Sequence, residues 1–206
     1  MGYLDKKESK ARIDNVRGIM AAKNLDAMLV YYDEFNIGNG WYLTGWCPQF
    51  ESGAVLVPRK GEPLILGGPE SEPFAKLDSA ITATRNFPVF MVPDEEYPNA
   101  TITDFPALFR ELKKRMPSLK SIGLVGGGRM PAACHSQITA GFKGVKLVDV
   151  TDDFVRLRFI KSPWETSRIR AAFKLADASY EAMKKPIAPG VTETEVAAAG
   201  DYAARR

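Results

Sequence analysis

Ser121-Ile122-Gly123-Leu124-Val125, then Gly126-Gly127-Gly128, then Pro131 to Thr139, then Lys146-Leu147-Val148-Asp149-Val150, is the stretch that decides how this chain folds. The outer runs are short and apolar, as buried strands are, and the segment between them has helical character. Strand, helix and strand in that order make a β-α-β arrangement, which belongs to a sheet with helices on its faces.

Upstream the pattern continues. Ser9 to Asn24 carries Ile13, Val16, Ile19 and Met20, a three-to-four residue spacing that gives a helix one apolar face, ended by Leu25-Asp26. Ala27 to Tyr31 is a short apolar run bounded by polar residues and fits a buried strand. Gly53 to Pro58 and Pro63 to Leu66 flank Arg59-Lys60-Gly61-Glu62, which predicts a β-hairpin. A short helix is expected over Pro69 to Leu77, and a further strand over Ile81 to Thr84. Phe87 to Asn99 holds three prolines and the acidic run Asp94-Glu95-Glu96, the composition of a surface loop. Thr103 to Met116 is a helix with Phe105, Leu108, Phe109 and Leu112 on one stripe, stopped by Pro117.

Beyond Val150 the punctuation changes. After a short helical connector, Asp152 to Arg158, Ser162-Pro163-Trp164-Glu165 spells a capping box with proline at the first helical position. The helix it starts carries Ile169, Phe173, Ala176, Tyr180 and Met183 at helical spacing, and Pro186, Pro189 and Gly190 end it. Thr192 and Glu195 form a second capping box for a terminal helix. A chain that finishes inside a freshly capped helix, just after an apolar stripe, is expected to lack the body against which these helices pack, or to use the stripe as a docking face.

With 206 residues, 45% of them hydrophobic and 26% charged, the chain has material for a real core, in one domain plus an appendage. Its net charge is only +3 and the basic residues are spread out, so neither nucleic acid nor a membrane surface is an expected partner. Lys113-Lys114-Arg115 lies near a helix end, where cations offset the helix dipole and need no ligand. Gly2 to Asn15 is polar, without the apolar core of a signal peptide, which makes the cytoplasm the default location. Cys47 and Cys134 match neither a disulfide framework nor a zinc spacing.

Candidate chemistry is sparse. His135 is the sole histidine, beside Cys134, and two neighbours on a helix point different ways, too few to make a metal site. Gly126-Gly127-Gly128 sits where phosphate loops occur but lacks their spacing, so an ordinary strand-to-helix turn is expected. Trp41 to Glu51 gathers Trp41, Tyr42, Trp46 and Phe50 around Gly40, Gly45 and Pro48, and such a loop either buries its aromatics as a small core or presents them to a ligand.

Several stretches resemble one family: Asn24-Leu25-Asp26-Ala27-Met28-Leu29-Val30, Tyr42-Leu43-Thr44-Gly45, Gly53-Ala54-Val55-Leu56-Val57-Pro58 and Gly61-Glu62-Pro63. They are similar to the amino-terminal domain of the creatinase/prolidase/Xaa-Pro aminopeptidase superfamily. Arg158-Phe159-Ile160-Lys161-Ser162-Pro163-Trp164-Glu165, Ile169-Arg170-Ala171-Ala172 and Pro189-Gly190-Val191-Thr192-Glu193 resemble the passage into its carboxy-terminal "pita-bread" catalytic domain. The resemblance implies a three-layer α/β domain with a mixed sheet over residues 1–158, then the linker and first catalytic-domain helices over 159–206.

It further implies that two divalent metals, Mn, Co or Zn, bind Asp, His and Glu residues of the catalytic domain beyond this sequence. No catalytic or metal residue is therefore assigned here, and the chain itself needs no cofactor. The implied role is non-catalytic, in a cytoplasmic homodimeric hydrolase acting on a peptide or a small guanidino substrate. In that setting the loop with Trp46, Gln49, Phe50 and Glu51 leans over the active site of the dimer partner. The alternatives are a creatinase-like amidinohydrolase as the parent protein, a stand-alone protein-binding module and, on the glycine loop alone, a small nucleotide-binding protein.

Overall fold

The computed structural model describes residues 4–48, 51–93 and 97–206. It divides into two compact units, Met1–Phe159 and Ile160–Arg206.

In the first unit α1 (Lys6–Ala22) starts earlier than its apolar spacing predicts, because Asp5 caps it by accepting from Lys7 N and Glu8 N. It ends where Asn24 takes a left-handed conformation, φ 54°, which asparagine tolerates better than most residues. The chain then enters β1 (Ala27–Tyr32), the centre of a six-stranded sheet. Asp26 fixes the entry: its Oδ2 accepts from Lys120 N at 2.8 Å and Ser121 N at 3.0 Å, tying the start of β1 to β5 (Ser121–Val125).

β1 pairs antiparallel with β2 (Gly53–Pro58) and parallel with β5. β2 pairs antiparallel with β3 (Leu64–Gly67), β3 parallel with β4 (Thr84–Asn86), and β5 parallel with β6 (Lys146–Asp149). The sheet order is β4-β3-β2-β1-β5-β6, a mixed sheet. Because β1 is buried on both sides, its sequence is continuously apolar and its residues alternate between two cores. Met28, Val30 and Tyr32 join the core beneath α1, α2 (Ile37–Thr44), α3 (Glu72–Asp78) and α6 (Thr151–Arg156). Ala27, Leu29 and Tyr31 join the core beneath α4 (Phe105–Arg115) and α5 (Ala132–Gly141). The register carries this across to β2, where Val57 and Val55 face one core and Leu56 and Ala54 the other. Three layers result.

Two expectations need correction. The strand foreseen over Ile81 to Thr84 lies at Thr84–Asn86 instead; Ile81 is buried for its side chain, not for ladder pairing. The stretch foreseen as a surface loop from Phe87 drops two aromatics into the core. Prolines rule out a central strand but not burial, and Phe87 and Phe90, in and beside a short 3-10 turn at Pro88–Phe90, cluster with Phe105 at ring distances of 4.6 and 6.3 Å. The Asp94 to Glu96 run lies outside the described residues.

At the sheet edge Glu72, in the first turn of α3, accepts from Thr84 Oγ1 (2.7 Å), Asn86 Nδ2 (2.8 Å) and Lys76 Nζ (2.7 Å), joining α3 to β4. Burial alone raises the Glu72 carboxyl, but bonds from Asn86, Lys76 and Thr84 outweigh it and hold the group at about 2, against an ordinary 4.5. A carboxyl whose folded pKa is depressed stabilises the fold above its unfolded pKa, and that stability is lost as pH falls through the folded value. Glu72→Gln is therefore expected to flatten the fall in stability between pH 4.5 and about 2, read from thermal midpoints against pH. An unchanged acid limb would show that the network carries no net stability.

The second unit is a pair of helices, α7 (Pro163–Lys184) and α8 (Glu193–Arg205). Both capping boxes form: Ser162 Oγ accepts from Glu165 N at 3.1 Å while Glu165 Oε2 accepts from Ser162 N at 2.9 Å, and Thr192 with Glu195 does the same. Gly200 lets α8 close on Ser179 and Met183, since a Cβ there would meet their side chains within 3 Å. Ile169, Phe173 and Tyr180 of α7 are exposed. Among the described residues no helix is long and apolar enough to cross a membrane.

Candidate functional site

The segment expected as a glycine-punctuated loop from Trp41 is in part a helix, α2, which runs to Thr44. Gly38 and Gly40 disfavour a helix, yet α2 forms because its glycines permit close approach. A Cβ at Gly40 would lie 2.8 Å from Cys47 Sγ and 3.2 Å from the Tyr32 ring. Asn39 Nδ2 donates to Tyr31 O at 2.9 Å, anchoring α2 to the end of β1. Gly45 ends the helix in the left-handed region, φ 67°, packed on Leu4.

From there the chain turns inward. Thr44 Oγ1 donates to Gly40 O (2.8 Å) and accepts from Trp46 N (2.9 Å), which seats Trp46 in the core beneath α1, at 9% exposure. Trp46 thus packs inward, whereas Trp41 stays 40% exposed. Glu51 is half-buried just before β2, and Gln49 and Phe50 lie outside the described residues.

Sequence reasoning passed over Tyr32 because an aromatic in an apolar strand looks like core. Its hydroxyl is buried with no hydrogen-bond partner among the described residues. Burial, then the charges of Cys47 and Glu51, raise its pKa far above the ordinary range. Burial, with Asp33 and Glu51, pushes the Cys47 thiol up to about 12, and burial pushes Cys134 to the same level. Both thiols are protonated at neutral pH and neither is poised as a nucleophile.

The other candidates resolve into local structure. Cys134 is buried while its neighbour His135 is exposed, so their side chains do not converge. Among the described residues no group of three or more His, Cys, Asp or Glu is placed to hold a metal. Gly126 is left-handed, φ 80°, opening a 3-10 turn at Gly127–Arg129, and its N–H is taken by Thr151 Oγ1 at 3.0 Å. This is a strand-to-helix turn. Lys113 Nζ caps Leu119 O at 2.8 Å and Arg115 pairs with Glu111 at 2.8 Å, which accounts for two of the three basic residues ending α4.

A six-stranded mixed sheet flanked by helices on both faces defines an α/β domain. The model of the creatinase/prolidase N-terminal domain matches residues 12–160, and the chain belongs to that family. Among solved structures it is similar to the prolidase from Pyrococcus horikoshii OT3, at 20% identity and TM-score 0.63, covering 95% of this chain and 48% of that one. The X-Pro aminopeptidase from Thermotoga maritima MSB8 gives 19% identity and TM-score 0.69, covering 94% and 48%. The N-terminal domain of the cytoplasmic peptidase PepQ from Mycobacterium tuberculosis H37Rv gives 17% and 0.53, covering 72% of this chain and 98% of that one. At these identities the likeness is one of fold. No curated protein matches the sequence. The chain spans about half the length of the prolidase and aminopeptidase structures.

Proposed function

We propose that this chain is the non-catalytic amino-terminal part of an Xaa-Pro aminopeptidase or prolidase-like hydrolase, serving dimerisation and substrate gating. The observation that carries the reading is the pattern of coverage. Nearly all of this chain aligns with about half of a prolidase or an X-Pro aminopeptidase. About three quarters of it aligns with the whole of the isolated domain. In this reading the first unit is the family domain, α7 and α8 are the first helices of a catalytic domain, and the divalent metals belong to residues of that domain.

The gating role rests on the segment from Trp46 to Glu51. Within it Trp46 is seated in the core and Glu51 is half-buried just before β2.

The test is an assay of the purified chain with manganese or cobalt on an Xaa-Pro dipeptide, run beside a creatine assay. No turnover in either is expected; metal-dependent turnover abolished by His135→Ala would overturn the reading. A second arm uses the full-length enzyme, where Glu51→Gln is expected to shift KM for the dipeptide while the thermal midpoint holds. Unchanged kinetics would remove the segment from the site.

A further inference from the structure

Four side chains form a line of contacts from α1 across α2 and α6 to the residues that follow α6. The Arg12 guanidinium lies 4.8 Å from the centre of the Tyr42 ring and donates from Nη1 to Tyr42 O at 2.8 Å, while its Nε meets Glu8 Oε1 at 2.9 Å. Tyr42 meets Phe154 edge-on, with ring centres 5.6 Å apart and planes at 87°. Phe154 carries a second guanidinium, that of Arg158, 5.9 Å from its ring centre. The same group faces the first turn of α2, where a Cβ on Gly38 would stand 2.3 Å from Arg158 Nη1.

Gly38 therefore leaves a notch that Arg158 fills. Glycine inside a helix weakens it, and the notch supplies a reason for one here. A guanidinium suits the place, broad enough to lie within cation–π reach of the Phe154 ring while its edge enters the notch, as a compact ammonium cannot. Half-burial lowers the Arg158 pKa, as expected for a cation drawn out of bulk water.

We infer that Arg158 is a latch: seated between Phe154 and Gly38, it fastens the segment by which the chain leaves the first unit onto α2, the helix that leads to Trp46. Backbone geometry agrees. Phe159 is 69% exposed, yet its N–H is held by Arg156 O at 3.1 Å and the Arg158 N–H by Val155 O at 3.0 Å. The backbone of the exit is thus held though its side chain faces water, and the guanidinium adds a side-chain contact to α2. Releasing the latch frees the bond after Phe159 without exposing the core.

Chymotrypsin under native conditions reads this directly on the intact chain, with cleavage between Phe159 and Ile160 followed by mass. Arg158→Ala and Gly38→Ala are each expected to be cut there about tenfold faster than the unaltered chain, through local opening. Arg158→Lys behaves like Arg158→Ala, because a single ammonium does not hold the Phe154 face and the Gly38 notch together. Gly18→Ala on α1, where an added Cβ meets nothing within 4 Å, is cut at the original rate. Thermal midpoints separate local from global opening, and if Gly38→Ala lowers the midpoint markedly, Arg158→Ala decides. Cleavage of Arg158→Ala at the original rate overturns the latch. No substrate enters the measurement, so its outcome is independent of the gating reading.

Discussion

Gly141→Ala is expected to lower the stability of the first unit by about 2–3 kcal/mol, although it replaces a helical glycine by the best helix former. An added Cβ at Gly141 would lie 2.2 Å from Phe105 Cβ, 2.9 Å from its carbonyl carbon and 3.1 Å from its Cα. These atoms belong to the backbone of α4 or its root, so no rotamer relieves the overlap and the two helices must part. Phe105 has little room to follow, packed between Phe87 at 4.6 Å and Phe142 at 6.1 Å. Gly18→Ala is the matched control: with open space around it, the same exchange is expected to stabilise by about 0.5–1 kcal/mol. Urea unfolding checks both, with midpoints moving in opposite directions and slopes unchanged. For a domain of this size the Gly141 variant corresponds to a thermal midpoint lowered by roughly 4–12 °C. A Gly141 variant as stable as the parent would mean that α4 and α5 do not meet so rigidly.

How much of this molecule its sequence discloses depends on how local each cause is. The capping boxes at Ser162 and Thr192 are visible because both partners lie three residues apart, and the side-chain types alone specify the bonds. β1 is visible because burial on both faces leaves no polar residue inside it. α2 was hidden because its cause is tertiary: Gly38 and Gly40 argue against a helix until Arg158, Cys47 and Tyr32 are seen pressing on them. Phe87 and Phe90 were hidden by the prolines around them, which mark irregular backbone and say nothing of burial. At the candidate site, Trp46 in a loop sequence is compatible with core or surface alike, and only the bonds of Thr44 decide. Arg12 gave no signal because arginine is exposed by default and Tyr42 is remote from it in sequence, whereas Phe154 and Arg158 stand one helical turn apart and what stayed hidden there was Gly38, the remote partner of the guanidinium.

Phe154→Ala is expected to have the largest effect of any single change considered, a loss of about 3–5 kcal/mol. The ring is fully buried, in the core that also holds Val16, Met20, Leu43 and Val150, and α6 has no other buried residue to hold it there. Removing the ring leaves a cavity that the surrounding strands and helices close only in part. Part of the loss belongs to the edge-on pair with Tyr42. A double-mutant cycle of Phe154→Leu and Tyr42→Leu, which keeps much of the apolar volume, is expected to give a coupling of about 0.5–1.5 kcal/mol. The two ends of the line of contacts then respond differently. Arg12 keeps Glu8 and the Tyr42 carbonyl when Phe154 is shortened, because those bonds do not use the ring. Arg158 loses the aromatic face it lies over, so Phe154→Leu is expected to speed chymotryptic cleavage after Phe159 while leaving most of the stability in place. Stability near the parent value in Phe154→Ala would show that α6 is not held by this ring. A Phe154→Leu chain cut at the parent rate would show that Gly38 alone seats the guanidinium.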